Sequence, residues 1–155
     1  MKYKILELRQ IALCYYQTEL TNSHNQNFTI IRQHWKEFNA LLRINKIKLR
    51  PDWKKYAITK KYNGRYYYQC AFPAQAHIRQ FDFTLIRAGN YVKFEHIAPM
   101  NTIRKTINEI YIDVIPGSDL KIDLNRSMIH FEHYDSKFSW NRQDSIVEIY
   151  VALTN

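Results

Sequence analysis

The order of hydrophobic periodicities constrains this chain more than any single motif. Along 155 residues it runs strand, helix, strand, strand, and then repeats. Residues 4–20, KILELRQIALCYYQTEL, alternate as a strand whose length demands a break or bulge. After a TNSHNQN loop, Phe28, Ile31, Trp35, Phe38 and Leu42 recur every three to four residues. That spacing predicts an amphipathic helix over about Phe28–Ile44, with Asn27 as N-cap, ending before Pro51. Lys55–Lys61 and Arg65–Phe72 then flank Asn63-Gly64, the dipeptide of a tight hairpin turn. Tyr66, Tyr68, Cys70 and Phe72 share one face of that hairpin. Pro73–Arg79 reads as an irregular connection.

The second round begins with a strand pattern over Phe81–Ile97, interrupted at Ala88-Gly89-Asn90. A helix over roughly Thr102–Ile115 follows, with Asn101 as N-cap and Ile103, Ile107, Ile110, Tyr111 and Val114 as its stripe. Pro116-Gly117 stops it. Two alternating runs, Met128–Tyr134 and Ser145–Leu153, close the repeat. The pseudo-repeats therefore span about 3–74 and 81–154 of a single domain. One β-α-β-β unit leaves a sheet face open. Two units predict an α+β domain: a continuous antiparallel sheet with both helices on one face. The opposite, concave face between the halves is then the expected cleft.

Candidate site residues come from the last two strands. Their odd positions, Ile129, Phe131, His133, Val147, Ile149, Val151 and Leu153, are apolar enough to pack on the helices. The even positions include His130, Glu132, Tyr134, Glu148 and Tyr150. A solvent face in a chain this rich in lysine would carry Lys, Thr and Ser. Glu and Tyr two residues apart on both strands instead suggest an aromatic recess holding a carboxylate. The alternative for Glu148 is an ion pair with Arg or Lys away from any cleft. Tyr56 and Tyr68 of the first hairpin would mirror the tyrosines of the last. Trp35 and Tyr111 suit the helix core and a pocket wall equally, and Trp140 carries no readable role. Twelve Tyr among 15% aromatic residues fit surfaces that are apolar yet need a polar tip.

Several classes find no support. No run of 18 apolar residues exists to span a membrane, and no signal-peptide h-region opens the chain. Cys14 and Cys70 make no disulfide framework or zinc motif, so a reducing cytoplasm is expected, with no metal and no cofactor. There is no Gly-rich phosphate loop or nucleophile motif. The net charge of +9 is concentrated in Arg43, Lys46, Lys48, Arg50, Lys54, Lys55, Lys60 and Lys61, with Asp52 opposing. It forms either a solvated edge or a patch for an anionic partner. Specific DNA binding is not expected, since no groove-reading element is evident.

The runs IRAGNYVKFEHIAP, TIRKTINEIYIDVIPGSDL, FEHY and VEIYVAL resemble the GyrI-like effector-binding domains, and IIRQHWKEF with the tyrosine-rich hairpin resembles them more loosely. The likeness covers essentially the whole chain and is strongest from Ile86 to Leu153. It implies a duplicated β-α-β-β fold that binds lipophilic, often cationic, small molecules in a central cleft. The family's ligand-binding glutamate falls on Glu132, and its terminal-strand acidic residue and tyrosine fall on Glu148 and Tyr150. Ala98 before Pro99, and Ala152, depart from the family's usual Gly and Pro. No helix-turn-helix segment is evident, so a stand-alone member is expected, binding without catalysis. Because some GyrI-like proteins are hydrolases, hydrolysis of reactive small molecules is one alternative. An interaction protein acting on a DNA-handling enzyme through the basic edge is the other.

Overall fold

In a computed structural model, residues 1–75 and 78–154 are described. Part of the expected Pro73–Arg79 connection thus lies outside the described residues. Eight strands form one antiparallel sheet: β1 Tyr3–Leu8, β2 Ile11–Glu19, β3 Lys55–Tyr62, β4 Arg65–Pro73, β5 Asp82–Ile86, β6 Gly89–Ile97, β7 Met128–Tyr134 and β8 Ile146–Ala152. Their order is β1-β6-β8-β7-β3-β4-β2-β5. The seam between the pseudo-repeats is the β7–β3 pair.

The long strand expected at 4–20 breaks at Arg9-Gln10, and the one at 81–97 breaks at Arg87-Ala88. Each break hands the chain between halves. β1 pairs with β6 of the second repeat while β2 pairs with β4 of the first. Symmetrically, β5 pairs with β2. Two-residue links between strands near opposite edges of the sheet force it to curl. The turn at Asn63 and Gly64 has positive φ at both residues, 54° and 74°, as a tight hairpin needs.

Helix α1 spans His24–Ile44, one turn longer at its start than the sequence suggests. The cap is Ser23, whose side chain accepts from the Gln26 amide, and not Asn27. Asn27 instead bonds back to Thr21 through both ends of its amide. Helix α2, Ile103–Glu109, is preceded by a 3₁₀ turn, Met100–Thr102, and continued by a π turn, Ile110–Val114. Its cap residue is Thr102, not Asn101.

Both helices lie on one face of the sheet. Trp35, Phe38 and Leu42 of α1 and Ile103 and Ile107 of α2 share a core with Cys70, Phe94, Ile149 and Val151. The other face is not an open concave cleft. Curling turns it inward, and its own side chains fill it: Leu13, Tyr56, Ile58, Tyr91, Phe131 and Tyr150 form a second core.

Candidate functional site

The cleft lies on the helix side of the sheet. A recess of about 430 Å³ opens between the start of α1 and α2, lined by Leu20, Thr59, Arg104, Ile107, Tyr111 and His130. It adjoins a narrower one of about 110 Å³ that shares Leu20, Thr59, Ile107 and His130 and adds Phe28, Tyr68 and Glu132. The larger recess is of a size that accepts drug-sized molecules, and the walls of both are mostly apolar.

Register decides which predicted residues meet here. β7 pairs with β8 as Phe131↔Tyr150, Glu132↔Ile149 and His133↔Glu148. Even numbers on β7 therefore share a face with odd numbers on β8. The expectation that Glu132, Tyr134, Glu148 and Tyr150 face one cleft is corrected. His130, Glu132 and Tyr134 face the helices, while Phe131 and His133 turn into the curl, and so do Glu148 and Tyr150. Tyr56, opposite His133, is on that far face too. Period-two alternation fixes faces within a strand. The relation between two strands depends on how the connecting loop sets their register.

The far-face group is internally satisfied. Glu148 contacts Lys93 Nζ at 2.9 Å and accepts from the Tyr150 hydroxyl at 3.3 Å. His133 Nδ1 lies 2.8 Å from Glu148 Oε1, short but poorly aligned. The His133 contact foremost, with Lys93, holds the Glu148 carboxyl down at about 2 against the opposing effect of burial. Tyr150 stacks on Phe131 at 4.7 Å.

Glu132 has different company. It is 3% exposed and accepts a hydrogen bond from the Tyr134 hydroxyl. His130 Nε2 lies 3.6 Å from its Oε2. Among the described residues, no lysine or arginine comes within 4 Å of it. Trp35 Nε1 donates to the Tyr68 hydroxyl at 2.9 Å, and Tyr68 adjoins Tyr134. Burial, reinforced by the Glu132 charge, pushes the Tyr68 and Tyr134 hydroxyls well above their ordinary range. They stay neutral donors. Trp35 and Tyr134 lie behind Glu132, edge to face at 5.1 Å, around a small recess with Trp53, Phe138 and Trp140.

Two irregularities shape the cleft wall. Thr59 pairs with His130 but Lys60 pairs with Met128, so Ile129 is a bulged residue. The bulge brings Ile129 to the cleft beside His130. Opposite it, the π turn carries Tyr111, whose hydroxyl donates to the Ile129 carbonyl at 3.2 Å and lies 3.1 Å from His130 Nδ1. His130, Thr59 and Arg104 escaped the sequence reading. His130 was legible only as a neighbour of Glu132 in the alternation, and nothing in the residue pattern announces the bulge. Arg104 sits at the exposed rim, 3.2 Å from His24.

A duplicated β-α-β-β domain with its cleft over the seam between repeats is the architecture of GyrI-like effector-binding proteins. The chain belongs to the family described as Cass2, integron-associated effector binding protein, whose profile matches residues 4–153. Among solved structures it is similar to SAV2435 bound to tetraphenylphosphonium (16% identity, 100% of this chain and 95% of that one, TM-score 0.77). It is also similar to the integron cassette protein VCH_CASS2 of Vibrio cholerae (19%, 98% and 95%, TM-score 0.69). A third neighbour is a hydrolase encoded by lin2189 from Listeria innocua (8%, 99% and 92%, TM-score 0.52). At these identities the likenesses establish the fold. No curated protein matches the sequence. Among the described residues no helix is long and apolar enough to cross a membrane.

Proposed function

We propose that this domain binds lipophilic aromatic cations in the cleft between α1 and α2, without turning them over. One observation carries the proposal: a buried carboxylate at an apolar cleft whose described partners are one neutral hydroxyl and an imidazole. Such a carboxylate lacks a cation, and an aromatic cation supplies one together with apolar surface. Near an effective dielectric of 20, a cation about 4 Å away gains roughly 4 kcal/mol before desolvation is subtracted. Burying about 300 Å² of apolar ligand adds on the order of 7 kcal/mol gross. Association costs bring the sum to about micromolar affinity. The net charge of +9 and Arg104 at the rim oppose this, but both act through solvent, which screens them within about 8–10 Å. That SAV2435 was bound to tetraphenylphosphonium supports the choice of ligand class. Ligand-facing roles fall to Glu132, Tyr68 and Tyr111, with Tyr134 and Trp35 supporting Glu132 from behind.

Glu132→Gln keeps the side-chain shape and removes the charge. Titration calorimetry with tetraphenylphosphonium and with neutral triphenylphosphine oxide tests it. The cation should lose about 1–3 kcal/mol and the neutral compound almost nothing. Equal losses for both would mean that Glu132 shapes the pocket and does not select charge.

Hydrolysis is the weaker alternative. Glu132 and Glu148 face opposite sides of the sheet, so they do not meet as a carboxylate pair that would activate a water in the cleft. For the basic stretch, Lys55 donates to Asn39 at 2.8 Å and lies over Trp53, so part of it is absorbed by the fold. The remainder supports at most salt-sensitive contact with an anionic partner.

A further inference from the structure

His130 is 4% exposed, and among the described residues its Nε2 has no hydrogen-bond partner. A buried, unpaired ring nitrogen is costly and uncommon, so its setting calls for a reason. The other ring nitrogen is spoken for. The Tyr111 hydroxyl has one proton and donates it to the bulged Ile129 carbonyl. Its oxygen, 3.1 Å from His130 Nδ1, is then left to accept the Nδ1 proton. With the Tyr111 proton placed on the Ile129 carbonyl, neutral His130 is assigned the tautomer with its hydrogen on Nδ1, which presents a bare lone pair at Nε2. That lone pair lies 3.6 Å from the Glu132 carboxylate oxygen, and both residues line the same narrow recess. Two acceptors face one another with no donor between them.

We infer that Glu132 and His130 form a two-acceptor cradle for N–H-bearing cations: ammonium, amidinium or guanidinium groups carried on an aromatic body. A single cationic nitrogen at ordinary hydrogen-bond length from both acceptors spans the 3.6 Å separation with two modestly bent hydrogen bonds. A fully alkylated or arylated onium centre has no hydrogen to give. It satisfies the charge of Glu132 and leaves the His130 lone pair unpaired. The cradle thus grades cations by hydrogen-bonding capacity within the class that the proposed function admits, and it rests on that function. The bulge and the π turn become parts of one device: the first exposes the carbonyl that fixes the Tyr111 proton, and the second delivers Tyr111 to it.

The test uses 1-naphthylmethylammonium and its N,N,N-trimethyl analogue, titrated calorimetrically into the intact protein at pH 8, where a free imidazole is neutral. The wild type should prefer the ammonium about tenfold, the worth of one charge-assisted hydrogen bond. His130→Phe should bring the two affinities within about twofold of each other. Tyr111→Phe, which frees Nδ1 and lets the tautomers mix, should reduce the preference part-way and serves should His130→Phe fail to fold. Equal wild-type affinities, or a preference that survives both substitutions, would overturn the cradle while leaving cation binding intact. If neither naphthyl cation nor tetraphenylphosphonium binds, the cleft function and the cradle fall together.

Discussion

Glu132 and Glu148 lie on neighbouring strands, one row apart in the register, yet they live in opposite electrostatic worlds. Glu148 faces the inside of the curl and holds Lys93, His133 and Tyr150. Its charge is spent on the fold. Glu132 faces the helices, with one tyrosine hydroxyl donating to it and an imidazole nearby. Its charge is left for something that enters the cleft. The comparison teaches that a carboxylate in an aromatic setting is not by itself a ligand site. What separates the two is whether the protein has already supplied a cation.

The sharpest break in that comparison is Tyr134→Phe. The donated hydroxyl is the one good hydrogen bond that compensates Glu132 for being buried without a cation. Removing it leaves a nearly unsatisfied carboxylate, and stability should fall by about 3 kcal/mol. Denaturant unfolding measures it, as a shift in midpoint at constant slope. Tetraphenylphosphonium should then restore more stability to the variant than to the wild type, because its positive charge offsets a carboxylate that has lost its hydrogen bond. A loss below about 1 kcal/mol would mean that the Tyr134 hydroxyl is not what compensates buried Glu132, and that the contrast with Glu148 does not rest on it.

Much of this was legible in the sequence, and what escaped did so for identifiable reasons. The helix stripes, the Asn63-Gly64 turn and the strand-helix-strand-strand order are local patterns, and each element appears where its pattern lies. The first helix starts early because Asn27 could serve as a cap or as the partner of Thr21, and local composition does not rank these. The long strands at 4–20 and 81–97 were visible as too long, but where each changes partners is a property of the whole sheet. Glu148 and Tyr150 are expected in the cleft with Glu132 only if parity carries from strand to strand, and Tyr56 only if the first hairpin mirrors the last. The 135–145 connection sets the register that breaks that parity. His130 stood on the candidate face without a role of its own, because that role depends on a bulge and a π turn that no residue pattern encodes.

From the other side, Glu148→Gln sharpens the contrast. It strips Lys93 and His133 of their shared partner and should cost about 2 kcal/mol of stability. Affinity for tetraphenylphosphonium should stay within about twofold, the reverse of the pattern expected for Glu132→Gln. The pH dependence has a definite sign. The Glu148 carboxyl titrates at about 2 in the folded chain against an ordinary value of 4.5. A depressed pKa gives stability that is complete above the unfolded value and is lost as pH falls from 4.5 towards 2. The acid limb of a stability profile should therefore be shallower in Glu148→Gln across that interval. Identical acid limbs would place the acid-sensitive group elsewhere.

The smallest expected effect probes how far the helix-side arrangement extends. Trp35 Nε1 donates to the Tyr68 hydroxyl, which adjoins Tyr134, which donates to Glu132. These four side chains come from three elements, α1, β4 and β7, so the polar chain crosses the core that joins helix to sheet. Trp35→Phe keeps an aromatic ring against Phe38 and Tyr134 and removes the N–H. One neutral hydrogen bond should be lost, about 1 kcal/mol, with a further small term for the smaller ring. In the Glu132→Gln background the loss should be smaller, since the hydroxyls are then no longer oriented by a full negative charge. A double-mutant cycle on unfolding free energies reads that coupling directly. Strict additivity would mean that Trp35 supports the core alone, and that the ordering around Glu132 stops at Tyr134.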